Sequence, residues 1–264
     1  MQRAAARLEL WLLLMGATIL VAWLLLIFAG SAVSLPAFCS AQGSVQGWNA
    51  APLSVSLAAA LLFNSPGQLA TGWALMVLAM MLPLAIAPLW HVRERSFARR
   101  RGRSTALFVA GFVAVWMLAG VILQTIALLA RLMVPEPVAC FGLAAAAALL
   151  WQLSPAKQWF LNRCHQRPPL AAFGFAADLD AFGFGVRNGA VCAGACWALM
   201  LAMLLIGQGQ LPAMIAVTLF SFAETLDDPA PLNWRWRGGA KALRILAAWW
   251  PKRPKRQQIR EVYP

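Results

Sequence analysis

The stretch Gly189-Ala190-Val191-Cys192-Ala193-Gly194-Ala195-Cys196-Trp197-Ala198-Leu199-Met200-Leu201-Ala202-Met203-Leu204-Leu205-Ile206 carries no charged side chain. Its length and hydropathy are those of a membrane-spanning helix. Read at 3.6 residues per turn, it stacks Cys192, Cys196, Met200 and Met203 along one face. A second sulfur-bearing stretch, Met76-Val77-Leu78-Ala79-Met80-Met81-Leu82-Pro83, sets Met76 one turn from Met80. Thiolate and thioether donors select soft metals, above all Cu(I). The competing reading is that Cys and Met are ordinary apolar filler in a helix bundle.

Working outward, the 264 residues are 61% hydrophobic and only 12% charged, with a mean hydropathy of +0.68. Apolar runs of spanning length recur, so the expected fold is all-α, a polytopic transmembrane helix bundle of about six spans. These are near residues 10–29, 69–90, 106–130, 138–153, 189–206 and 211–226, and they form a single membrane domain over 1–264. Residues 1–30 provide the first span or anchor, 67–226 the core and 235–264 a basic tail. Retention of the first span is expected, because its apolar run exceeds that of a cleaved signal sequence.

The net charge of +13 does not point to nucleic acid. Lys and Arg lie in blocks beside the apolar runs, as the positive-inside rule expects. Arg93, Arg95, Arg99, Arg100, Arg101 and Arg103 follow the second span, and nine basic residues lie between Arg235 and Arg260. From Gly30 to Gln68 there is none. Of 22 basic residues only Arg131 falls outside in this topology, which places both termini in the cytoplasm. Lys157, Arg163, Arg167 and Arg187 mark an inner loop, and within it 169–186 reads as an interfacial segment containing Asp178 and Asp180. Residues 51–63 read as an outer interfacial stretch. Gly239–Trp250 reads as an in-plane amphipathic helix held by anionic lipid, or as a plain topology signal.

The five cysteines are too scattered for a disulfide framework. Cys39 and Cys140 fall at or near the outer side. There is no Cys-x-x-Cys pair, and both histidines, His91 and His165, fall in loops, so a four-ligand zinc site is poorly supplied. No acid–base–nucleophile constellation stands out, and an enzyme is not expected.

Depth brings the sulfur segments to one level. At about 1.5 Å per residue, Met80 lies ~17 Å from the outer edge, Cys196 ~15 Å and Glu224 ~20 Å, all in the middle third of a ~30 Å hydrocarbon core. Ala190, Gly194 and Ala198 form a small-residue strip suited to close helix packing. One thiolate with Cu(I) is neutral, and thioethers add donors without charge. Two thiolates leave a negative site, which is expensive in lipid unless a partner compensates. Glu224 is the only acidic residue expected deep in a span, with three readings: metal ligand, proton carrier or structural hydrogen-bond donor.

At these residues the chain resembles a bacterial family of predicted metal-binding integral membrane proteins. Some members resemble the membrane partner that supplies copper to a polyphenol oxidase. The matching features are Trp73-x-x-Met76-x-x-x-Met80-Met81-x-Pro83, Trp151-Gln152-x-x-Pro155-x-Lys157, Cys164, Gly189-x-x-Cys192-x-Gly194-x-Cys196-Trp197-x-Leu199-Met200, Gly207 and Glu224. The resemblance spans about Gly67 to Glu224. It departs at three positions where the family usually has a ligand: Phe160 and Ala195 stand for cysteines and Asn188 for a histidine.

The resemblance implies an inner-membrane protein that binds Cu(I) and serves copper delivery to, or assembly of, a partner oxidase, directly or with an accessory membrane protein. The candidate metal ligands are Cys192, Cys196, Met200, Met76, Met80, Met81, Cys164 and Glu224, with Cys164-His165 as a hand-off position. The alternatives are a metal-free scaffold of a membrane complex and a metal or proton transporter centred on Glu224.

Overall fold

The computed structural model describes residues 2–28, 66–134, 136–171, 173–206 and 209–249. Cys39, the stretch 51–63, Gly207-Gln208 and everything from Trp250 onward lie outside these residues. Among the described residues the structure is all-helical, with no strand. The helices are α1 (Gln2–Phe28), α2 (Pro66–Met80), α3 (Ile86–Arg95), α4 (Arg101–Met133) and α5 (Pro137–Leu153). They continue with α6 (Pro155–Cys164), α7 (Gly174–Leu205), α8 (Gln210–Leu226) and α9 (Ala240–Trp249).

The frame is the pair α4 and α7, with 33 and 32 residues and the most extensive packing in the molecule. At 1.5 Å per residue each is about 50 Å long, well beyond the hydrocarbon thickness. The two run parallel. Arg100, just before α4, reaches Asp178 in the first turns of α7, and Arg131 near the end of α4 donates to the Leu204 carbonyl at 3.3 Å. Between these ends the backbones meet at glycines. A Cβ on Gly185 would overlap the Phe108 carbonyl, and one on Gly189 would lie 3.0 Å from that of Phe112. Gly185-x-x-x-Gly189 is thus the small-residue contact that lets α4 and α7 close.

Two helices are broken where proline removes a backbone donor. Between α2 and α3 the chain bends by 49° through Met81-Leu82 and a short 3₁₀ turn, Pro83–Ala85. Between α5 and α6 it bends by 65°. Here Ser154 caps α6 by accepting the Lys157 N–H at 3.2 Å, and Pro155 occupies the first turn, as such starts favour.

These breaks correct the expected six spans. Only α4 and α7 are individually long and apolar enough to cross a membrane, and each bent pair, taken as one span, raises the number to four. The apolar stretch Met15–Phe28 of α1 and the 17 residues of α8 fall short of that length. A second correction concerns 169–186. Most of it is the first half of α7, which begins at Gly174 and not at Gly189. Its carboxylates have partners: Asp178 bridges Arg100 and Arg103 at 2.8 Å each, and Asp180 accepts the Ala171 N–H.

The remaining helices pack around this frame. α5 and α6 lie on α7, α2 packs on α1, α4 and α8, and α8 packs on α7. The segment after α8 folds back along α6. Arg237 donates to Asn162 and to the Asp227 carbonyl, Asn162 pairs with the backbone of Ala230, and Arg235 N–H reaches the Leu153 carbonyl. Asp227 then accepts the N–H groups of Gly239 and Lys241, fastening the start of α9. Beside it, the hydrogen bond from the Lys241 ammonium holds the exposed Asp228 carboxyl below its ordinary range.

Candidate metal centre

The sulfur face read from the sequence points into the protein. Cys192 and Cys196 are 6% and 3% exposed, and Met200 and Met203 continue the buried line along α7. Cys192 and Cys196 lie one turn apart on this face. On α4, which packs along α7, the indole Nε1–H of Trp116 is buried and makes no hydrogen bond among the described residues. On the other side Cys196 Sγ stands 4.0 Å from the Ser221 hydroxyl of α8. All four cysteines among the described residues are free thiols.

Cys164 shares a cavity with Cys192. It lies at the end of α6 beside His165 and lines this cavity of about 220 Å³. The walls include Pro83 and Pro88 from the break after α2, Cys164 and His165, and Asn188 and Cys192 one turn apart on α7. His165 Nδ1 lies 3.1 Å from the Leu161 carbonyl. A carbonyl requires a donor, so Nδ1 carries a proton, which leaves Nε2 as the nitrogen not engaged in this contact.

Met76, Met80 and Met81 are buried in the same continuous core. Their helix packs chiefly on α1, α4 and α8, so α7 is not among its principal partners. The link between the segments is aromatic. Trp73 Nε1 donates to the Trp116 carbonyl at 2.7 Å, and the two indoles lie 6.3 Å apart.

Glu224 has a partner that the sequence reading assigned to a loop. Both its carboxylate oxygens accept from Lys157 Nζ, at 2.7 and 2.8 Å, and the two residues are 1% and 0% exposed. Lys157 is therefore a core residue. The bend at Ser154-Pro155 turns α6 under the bundle and aims its first turn at α8. Glu224 is an ion-pair member in this geometry, with its oxygens occupied. The only prior signal was the shared occurrence of Lys157 and Glu224 in an otherwise charge-poor core.

Of the three positions that depart from the resemblance, Asn188 lines the cavity with Cys192, Ala195 is buried beside Cys196, and Phe160 lays its ring on Gly194, where a Cβ would strike it. Gly194 thus admits an aromatic ring, and Trp151 Nε1 donates to its carbonyl at 3.2 Å. Among the described residues no three His, Cys, Asp or Glu side chains converge as a preformed metal site. What converges is a pair of thiols, with thioethers along the same helix face.

A family model described as copper chaperone, PpoB2, matches residues 70–247. The chain belongs to this copper-chaperone family. The match covers every helix that contributes to the thiol pair, the cavity and the buried ion pair, and extends into α9. No curated protein and no solved structure matches the chain. A copper-related role and interaction with a copper-using partner follow from the family, and the donor set fits that cargo. Soft sulfur in a buried, water-poor setting suits Cu(I) better than harder ions.

Proposed function

We propose that the protein is a membrane-embedded Cu(I) chaperone that holds its ion at Cys192 and Cys196 and passes it to a partner copper oxidase. The observation that carries this reading is the pair of buried, inward-facing thiols one turn apart on α7, in a chain of the copper-chaperone family. The cavity supports an approach from the arginine-rich end. Cys164, His165 and Cys192 all line it, so an ion moving through it meets soft or borderline donors. Met200 and Met203 continue the series beyond Cys196, and Met76, Met80 and Met81 add thioethers to the same buried core from α2. The donors hold and release the ion.

Glu224 is left out of the ligand set because Lys157 occupies both of its oxygens. The same pairing removes the motivation for a transporter centred on that carboxylate. The test is metal analysis of detergent-purified full-length protein after growth with copper. Wild type carries copper near stoichiometry, and the Cys192→Ser/Cys196→Ser variant inserts normally and carries none. Copper retained in that variant refutes the assignment.

A further inference from the structure

The cavity that Cys164 and Cys192 share is far larger than an ion. Its volume is about 220 Å³, against ~30 Å³ for one water in the liquid, and a bare Cu(I) is smaller still. Leu84, Ile86, Phe222 and Leu226 give it apolar walls, which offer a hydrated ion nothing. Apolar walls with a few placed polar groups are the form of a site for a small organic molecule. Sites for drug-sized ligands run from about 300 Å³ upward, so the occupant here is smaller than those.

The polar groups on the wall narrow its chemistry. Cys164 and Cys192 offer sulfur from two different helices, α6 and α7. Asn188, one turn before Cys192, is 8% exposed, and its side-chain amide makes no hydrogen bond among the described residues. A buried amide left without a partner costs free energy, and one on a cavity wall is satisfied by an amide or carbonyl of the molecule that enters. Arg167, on the same wall, adds a cation. Its Nη1 donates to the Cys164 carbonyl at 2.8 Å, so the guanidinium stands at the sulfur-bearing end of α6. Its Nη2 and Nε make no hydrogen bond or ion pair among the described residues. That edge of a guanidinium is suited to a two-point contact with a carboxylate. The neighbouring Pro168 carbonyl lies 2.9 Å from His91 Nε2, which ties this segment to α3, the helix that supplies Ile86 to the cavity.

We propose that the cavity receives Cu(I) as its complex with a small anionic cysteinyl thiol, whose carboxylate meets Arg167 and whose amide meets Asn188. The proposal rests on the Cu(I) reading above and names the form in which the ion arrives. The step is a ligand exchange. A bond from Cys192 Sγ to Cu(I) forms as the carrier's sulfur–Cu(I) bond breaks, and the Cys192 proton passes to the departing carrier thiolate. Copper stays Cu(I) throughout, so no oxidant or reductant is required. Arg167, which the sequence marks only as inner-loop charge, becomes a residue that selects the carrier.

The experiment loads copper-free, detergent-purified full-length protein, without oxygen, from Cu(I) carried by N-acetylcysteine or by N-acetylcysteine amide. The two carriers share the sulfur and the acetylated nitrogen and differ only in the carboxylate. Initial loading is read by metal analysis after rapid desalting, across carrier concentration, for wild type, Arg167→Gln and Asn188→Ala. Wild type half-saturates with the acid at about one-tenth of the concentration needed with the amide. Arg167→Gln abolishes that difference, and Asn188→Ala raises half-saturation for both carriers alike. A preference for the acid that survives in Arg167→Gln overturns the proposal, because the general positive charge of that end would then explain it. Unaltered half-saturation in Asn188→Ala overturns it as well. Should Arg167→Gln fail to fold by gel filtration and tryptophan fluorescence, wild type decides with N-acetylserine, which keeps the amide and carboxylate without the sulfur. N-acetylserine slows loading from the acid, and absence of competition overturns the proposal. Wild type that takes Cu(I) from neither carrier nor from a Cu(I) chelator overturns this proposal and the functional reading together. Wild type that loads equally from both carriers overturns this one alone.

Discussion

Replacing Lys157 by Met should destabilise the apoprotein severely, and removing Glu224 as well should restore most of the loss. Both side chains are sealed from solvent, and both carboxylate oxygens accept from one ammonium. Two unit charges about 4 Å apart attract by ~4 kcal/mol at an effective dielectric of about 20. Breaking a buried pair from one side is expected to cost a similar ~3–5 kcal/mol, because the remaining charge is stranded. Replacing the pair as a whole by apolar or neutral groups is often close to neutral. The assay is reversible unfolding in mixed micelles followed by tryptophan fluorescence, run as a double-mutant cycle on Lys157→Met and Glu224→Gln. A coupling of roughly 3 kcal/mol is expected. Additive effects, or a Lys157→Met variant as stable as wild type, would refute the claim that these two charges depend on each other.

Other expectations follow from the same geometry. Gly185→Leu forces side-chain atoms into the Phe108 carbonyl and should cost at least 1–3 kcal/mol as a rough estimate, whereas Gly183→Leu, with open space around it, should be tolerated; thermal unfolding of the two variants compares them. Asn188→His sets an imidazole in the cavity one turn before Cys192 and should tighten Cu(I) binding on the order of tenfold in chelator competition; unchanged affinity would show that the cavity is not on the ion's path. Asp227→Ala removes the acceptor for the Gly239 and Lys241 N–H groups and should loosen the start of α9 by about 1 kcal/mol. Hydrogen exchange confined to 239–244 would report it, and unchanged protection there would argue that the cap is idle.

Much of the helical content was readable because apolar runs and their flanks are local signals. The spans expected at 106–130 and 138–153 became α4 and α5, and the line of Cys192, Cys196, Met200 and Met203 came directly from helical period. What escaped the reading depended on partners far along the chain. Asp178 looks like a reason to end a helix until Arg100 and Arg103 are brought to it, so half of α7 was taken for an interfacial segment. Lys157 looks like one more inner-loop charge until the elbow at Ser154-Pro155 redirects it. The closest helix contact lay at Gly185-x-x-x-Gly189, a signal present in the sequence, and not on the strip of Ala190, Gly194 and Ala198. Gly194 instead receives Phe160, the residue standing where the family usually has a cysteine.

The 67 residues that separate Lys157 from Glu224 bear on how the chain is made. A growing polypeptide emerging from the ribosome exposes α6 well before it can supply α8, and until then the ammonium has no carboxylate to meet. Collapse of the bundle around α6 is disfavoured during that interval. Final closure waits for the last carboxyl-bearing turn, so a product truncated before it would stay open to proteolysis. Protease sensitivity of chains ending before and after Glu224 measures this directly, and equal resistance would disprove it.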